Sequence, residues 1–198
     1  MMNTELPHLQ NLSEEPKPTF SFHPKKFMLW LGIASITMSF AGWTSAYLVR
    51  RAEGNWLEFE IPAIFWYSTG VLLVSSIFMH LSLRAAKKDK FGQLKTAISI
   101  TFALGLVFLY LQILGFYELV SQDLYLVGNP SVSFFDVLIF IHGVHVISGL
   151  IVLIVSFVSA WRMKIHAKKL DRLEMAALYW HFLDGLWLYL FVFLLNFR

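Results

Sequence analysis

Five apolar runs follow one another along the chain: Phe27 to Val49, Ile61 to Leu83, Ala97 to Leu119, Phe134 to Trp161 and Met175 to Phe197. A bilayer core of about 30 Å takes roughly 20 helical residues at about 1.5 Å each, and every run reaches that length. Inside lipid each backbone polar group has to be satisfied within the segment, so such runs are helices. The pattern therefore predicts an all-α integral membrane bundle of five helices over residues 27–198. The connections are short and carry turn or charge signals: Gly54, the Lys87 to Lys90 cluster, the Gly128-Asn129-Pro130 turn, and Lys168 to Arg172. Residues 1–26, with Pro7, Pro16, Pro18, Glu14 and Glu15 and no apolar core, read as a disordered cytoplasmic tail and not a signal peptide.

Charge sets the expected orientation. Of the 16 Lys and Arg residues, all but Arg50, Arg51 and Arg198 flank the helices on the amino-terminal side. Basic segments near helix ends stay in the cytoplasm, which predicts an amino terminus inside and a carboxyl terminus outside. A formal charge of +3 could otherwise suggest nucleic acid, but these cations sit in short loops where anionic lipid headgroups lie. With 57% hydrophobic and 15% charged residues, the chain is too apolar for a soluble domain. Cysteine is absent, which removes disulfides, thiolate metal sites and cysteine nucleophiles.

An ionisable group at membrane depth costs about 2.5–3.5 kcal/mol, so each one calls for a partner or a purpose. His142 and His145 share one face of the fourth helix, and Glu174, His181 and Asp184 form a stripe on the fifth. Both stripes are expected to face the interior. His80 lies near the cytoplasmic end of the second helix, where Arg84 and headgroups can solvate it. Matched depth predicts a Gln112–His145 hydrogen bond and a Glu118–His142 pair. Ligation of haem or copper needs histidines converging from facing helices, and here two lie on one helix face. Interhelical hydrogen bonding is the reading favoured, with a proton path through Asp184, His181 and Glu174 as a third option. Trp30, Trp66, Trp161 and Trp180 are placed as interfacial anchors. Ser35, Ser39, Ala41, Gly42, Ser75 and Ser76 read as close helix packing.

The fifth helix, Glu174-Met-Ala-Ala-Leu-Tyr179-Trp180-His181-Phe182-Leu-Asp184-Gly-Leu-Trp187, closely resembles the terminal helix of subunit III of haem-copper oxidases. The stretch His142-Gly143-Val-His145-Val146 resembles the same family's His-Gly-x-His-Val segment. Pro62 with His80, and Gln112 with Glu118, are similar in placement to residues of that family, and the resemblance runs from Phe27 to Arg198. Two departures stand out. The long family form has seven helices, so this chain is similar to the short form, in which an extended subunit I carries the first two. Where the family commonly has a buried glutamate on the first helix, this chain has Ile36.

The resemblance implies a non-catalytic subunit III of a proton-pumping terminal oxidase in the bacterial plasma membrane. It implies no haem, copper or other metal in this chain, with haem and copper in partner subunits. It also implies subunit I as main partner, structural phospholipid, and support of proton uptake in aerobic respiration. Arg162 and Lys169 are the expected headgroup contacts. A quinol oxidase subunit III and an accessory subunit of a nitric oxide reductase system remain alternatives. A free-standing transporter would carry mid-membrane Gly or Pro breaks, whereas Pro62 lies at a helix start.

Overall fold

The computed structural model describes residues 24–125, 127–161 and 170–197. Within them the chain forms five helices: α1 (Pro24–Ala52), α2 (Ile64–Lys87), α3 (Phe91–Ser121), α4 (Pro130–Trp161) and α5 (Leu170–Phe197). All five are long and apolar enough to cross a membrane. The expected tail and the Lys168 to Arg172 connection fall largely outside the described residues, and so do Arg162 and Lys169. Helices α3 and α5 start at Phe91 and Leu170, ahead of the apolar runs at Ala97 and Met175. Hydropathy marks where lipid begins, while each helix continues through a polar turn whose long cationic side chain, Lys95 or Arg172, can reach the headgroup level.

The turns use residues that tolerate a left-handed backbone. Gly54 (φ 85°), Asn55 (φ 53°), Asp89 (φ 52°) and Asp123 (φ 60°) hold those positions, where a Cβ-branched side chain would be strained. Asn129 starts α4: its Oδ1 accepts the Ser131 backbone N–H at 3.0 Å, and Pro130 follows at the first helical position, which lacks an N–H to satisfy. The same Asn129 donates through Nδ2 to the Asn55 carbonyl at 3.3 Å, which joins two loops at one end of the bundle. The opposite, basic end is joined by ion pairs from Lys26 to Asp171 (3.2 Å) and from Lys87 to Glu174 (3.4 Å).

Helix α5 is the hub, packed against α2, α4 and α1, while α3 lies against α2 and α4. Its indoles fill the centre. Trp180 is only 1% exposed and lies over two glycines. A Cβ on Gly105 would stand 2.8 Å from Trp180 Cη2 and 2.7 Å from Leu150 Cδ2, and one on Gly149 would stand 2.8 Å from Leu183 Cδ1. Only glycine lets α3 and α4 approach α5 this closely. Trp180 is therefore a core residue and not the interfacial anchor expected from its place in the apolar run. The reason is that α5 continues about three turns beyond it toward the basic end. Trp30 and Trp66, each 57% exposed, do lie on the outside as anchors should, and the Trp161 side chain lies outside the described residues.

Helix α1 contributes least to the core. Ser35, Ser39, Ala41 and Gly42 are exposed, and a Cβ on Gly42 would meet no atom within 4 Å. The close packing expected of these small residues is not made among the described residues.

Candidate functional site

Between α2 and α5 runs a ladder of hydroxyls that answers the indoles. Trp180 Nε1 donates to Ser75 Oγ at 3.2 Å, and Trp187 Nε1 donates to Thr69 Oγ1 at 2.9 Å. The hydroxyls pass their own protons to backbone carbonyls, Ser75 to Thr101 at 3.4 Å and Thr69 to Phe65 at 2.8 Å. Gln112 of α3 joins the ladder by donating through Nε2 to Ser68 Oγ at 3.2 Å. Each of these indole, hydroxyl and amide donors thus finds an acceptor, which matters more in lipid than the modest net gain of the bond itself. Ser75→Ala is expected to strand the Trp180 N–H at a cost of about 1–3 kcal/mol, read as a lower melting temperature of the detergent-solubilised protein, with Ser75→Thr close to wild type.

The two pairs expected from depth are not formed. Gln112 faces α2 and bonds Ser68, while His145 Nδ1 donates to the Ile141 carbonyl of its own helix at 2.8 Å. His142 is fully buried, and among the described residues neither ring nitrogen has a hydrogen-bond partner. Its walls are aromatic: Trp187 at 5.2 Å between centroids, Phe108 at 6.1 Å and Phe40 at 6.4 Å. Glu118 lies at the opposite end from the basic loops, lining a surface cleft with Glu60 and Gln122. Depth along an axis says nothing about rotation around it, and here the rotation separates both pairs.

The α5 stripe divides as well. Glu174 sits at the basic end, 3.4 Å from Lys87 and 3.7 Å from Lys26. His181 turns toward α2, where its Nδ1 lies 2.7 Å from Ser76 Oγ, and its ring centre is 6.4 Å from that of His80. Asp184 is 4% exposed, with Oδ2 4.0 Å from His181 Nδ1. Thus α2 supplies polar partners to α5 that its sequence, read alone, presented as packing residues. No common spacing announces the ladder: Thr69 and Ser75 are six apart on α2, whereas their partners Trp187 and Trp180 are seven apart on α5. Among the described residues no group of three or more His, Asp or Glu converges as a metal site would require.

Comparison with known proteins points one way. The profile of the family described as cytochrome c oxidase subunit III matches residues 57–197. Cytochrome c oxidase subunit 3 of Thermostichus vulcanus is 34% identical over 185 residues, covering 87% of this chain and 88% of its own. Cytochrome bo(3) ubiquinol oxidase subunit 3 of Pseudomonas aeruginosa is 31% identical over 170 residues, with 83% and 81% covered. Cytochrome c oxidase subunit 3 of Bacillus sp. (strain PS3) is 28% identical over 172 residues, with 84% and 83% covered.

Proposed function

We propose, from the premise that the chain belongs to the cytochrome c oxidase subunit III family, that it supports oxygen reduction from beside the catalytic subunit and carries no active site itself. Membership makes it a subunit III of a haem-copper terminal oxidase, assembled with other oxidase subunits. Its five spans make it a multi-pass protein of the bacterial plasma membrane. Relatives of both the cytochrome c and the ubiquinol type resemble it to similar degrees. Either donor is consistent with these relatives.

In this reading haem and copper reside in the partners, and the histidines of this chain serve packing and hydrogen bonding. His142 is caged by carbon and His145 is bonded to its own helix, which supports that assignment. Subunit I is the main contact. The observation that carries this is the uncovered small-residue face of α1, Ser35, Ser39 and Gly42, on a helix otherwise lined with exposed large side chains such as Met38 and Trp43. Lipid tails pack well against large apolar groups, whereas a row of small residues suits another helix at close range. The basic end faces the cytoplasm, and structural phospholipid is held at that boundary with Arg162 and Lys169 as headgroup contacts.

Because the chain has no cysteine, single-cysteine labelling tests the docking face cleanly. Ser39→Cys on α1 is expected to be shielded from a lipid-soluble maleimide in the intact complex and to crosslink to the largest subunit. Val144→Cys, on the exposed side of α4, is expected to label freely. Equal labelling at both positions in the intact complex would refute α1 as the docking helix.

A further inference from the structure

Asp184 has the least explained environment in the bundle. It is 4% exposed, and among the described residues neither carboxyl oxygen has a hydrogen-bond partner. Its titratable neighbour on α5 is His181, with Nδ1 4.0 Å from Oδ2. On α2, Ser76 Oγ meets the same Nδ1 at 2.7 Å. One turn further toward the basic end, the exposed His80 places its ring 6.4 Å from the His181 ring. The four residues run in a line from the outer flank of α2 to the interior of α5.

Among the described residues, the following titratable groups on and around α5 have other surroundings. Glu174, on α5 itself, is held by Lys87 of α2 and Lys26 of α1. On α4, His145 bonds the Ile141 carbonyl and His142 is enclosed by aromatic rings. Tyr47 of α1 donates to the Phe197 carbonyl at the far end of α5. Among the described residues a bare carboxylate at Asp184 would consequently have only the Ser76 hydroxyl beside it, already shared with the His181 ring, and no nearby fixed cation, which is costly at this burial. One proton resolves the mismatch, and either partner of the pair can carry it.

We propose that His181 and Asp184 share one exchangeable proton as a coupled buried pair, loaded from the basic end through His80, with Ser76 fixing the imidazole. No electron moves and no bond but N–H and O–H changes. A proton from boundary water binds His80, crosses to His181 by way of a bridging water, and passes the 4.0 Å from Nδ1 to Asp184 through the Ser76 hydroxyl, which gives its own proton to the carboxylate as it takes one from Nδ1. The geometry stands independently of the oxidase assignment, which supplies only the setting, a subunit beside a proton-consuming partner.

Infrared spectroscopy of the purified full complex tests this. A protonated carboxyl C=O band that shifts in D2O is expected in the wild type. The band should be lost in Asp184→Asn, displaced in Asp184→Glu should that variant assemble better, and retained in Asp136→Asn, which removes the other carboxyl with an unpartnered buried oxygen. In His181→Gln the titration midpoint of the band should move by about one pH unit or more, the mark of an interacting pair. In His80→Gln the band should remain while its hydrogen–deuterium exchange slows by roughly 10²-fold, the low end of what a positioned proton carrier contributes. A wild type without such a band at any pH, or an unchanged midpoint in His181→Gln, overturns the shared proton, and unchanged exchange in His80→Gln overturns the entry route. Haem content of the same sample separates this result from the oxidase assignment: a haem-free preparation that shows the band leaves the pair standing and the assignment fallen.

Discussion

Trp180→Ala is expected to be the most damaging single substitution in the bundle, at about 3–5 kcal/mol, the usual cost of deleting a fully buried large aromatic. The indole is 1% exposed, lies over Gly105 and Gly149, and gives its N–H to Ser75. Its removal opens a void between three helices at once and strands a serine. Trp180→Phe keeps most of the ring volume and is expected to recover the larger part of the loss. The reciprocal change, Gly105→Leu, drives a side chain into the space the indole occupies and is expected to cost about 1–3 kcal/mol. The melting temperature of the solubilised protein and its yield in membranes read all three. A Trp180→Ala variant as stable as wild type would mean that α5 is not the hub of the fold.

The second large effect concerns assembly and not folding. Gly42→Leu and Ser39→Leu place bulk on a face that is exposed among the described residues, so helix formation and insertion are expected to proceed normally. Against a closely packed partner helix the same bulk is expected to cost about 1–3 kcal/mol, as overpacking does in a core. Since each 1.4 kcal/mol or so is tenfold in affinity, binding to the partner should weaken by roughly 5- to 150-fold. The fraction of complexes retaining this subunit after affinity purification, read by native mass spectrometry, gives the answer. Val144→Leu on α4, an exposed position among other exposed large apolar residues, is the matched control and is expected to change nothing.

The sequence made the spans legible because apolar length and the placement of 16 basic residues are one-dimensional signals, and the bilayer imposes both. Helix ends are less legible: α3 and α5 begin at Phe91 and Leu170, ahead of the boundaries at Ala97 and Met175 that polarity suggests. The site was legible in depth and not in rotation. Gln112 does sit in the core, but the turn of α3 presents it to Ser68 of α2 and away from His145. Trp180 looked like an anchor by position and is the centre of the core by geometry. Ser75, Ser76 and Thr69 were read as packing or passed over because a hydroxyl in a membrane helix usually bonds its own backbone. Their service to Trp180, His181 and Trp187 depends on which helix becomes the neighbour, and no periodicity within α2 states that.

Elemental analysis after gentle dissociation of the purified oxidase decides whether this bundle is a metal-free companion to a redox-active neighbour. Affinity capture through this chain in mild detergent is expected to bring down haem-bearing partners. After separation the iron and copper should remain with those partners, while this polypeptide is recovered folded, with both indoles still buried and no bound metal. Iron or copper retained in stoichiometric amount by this chain, or its recovery from membranes without any haem-bearing partner, would contradict the account.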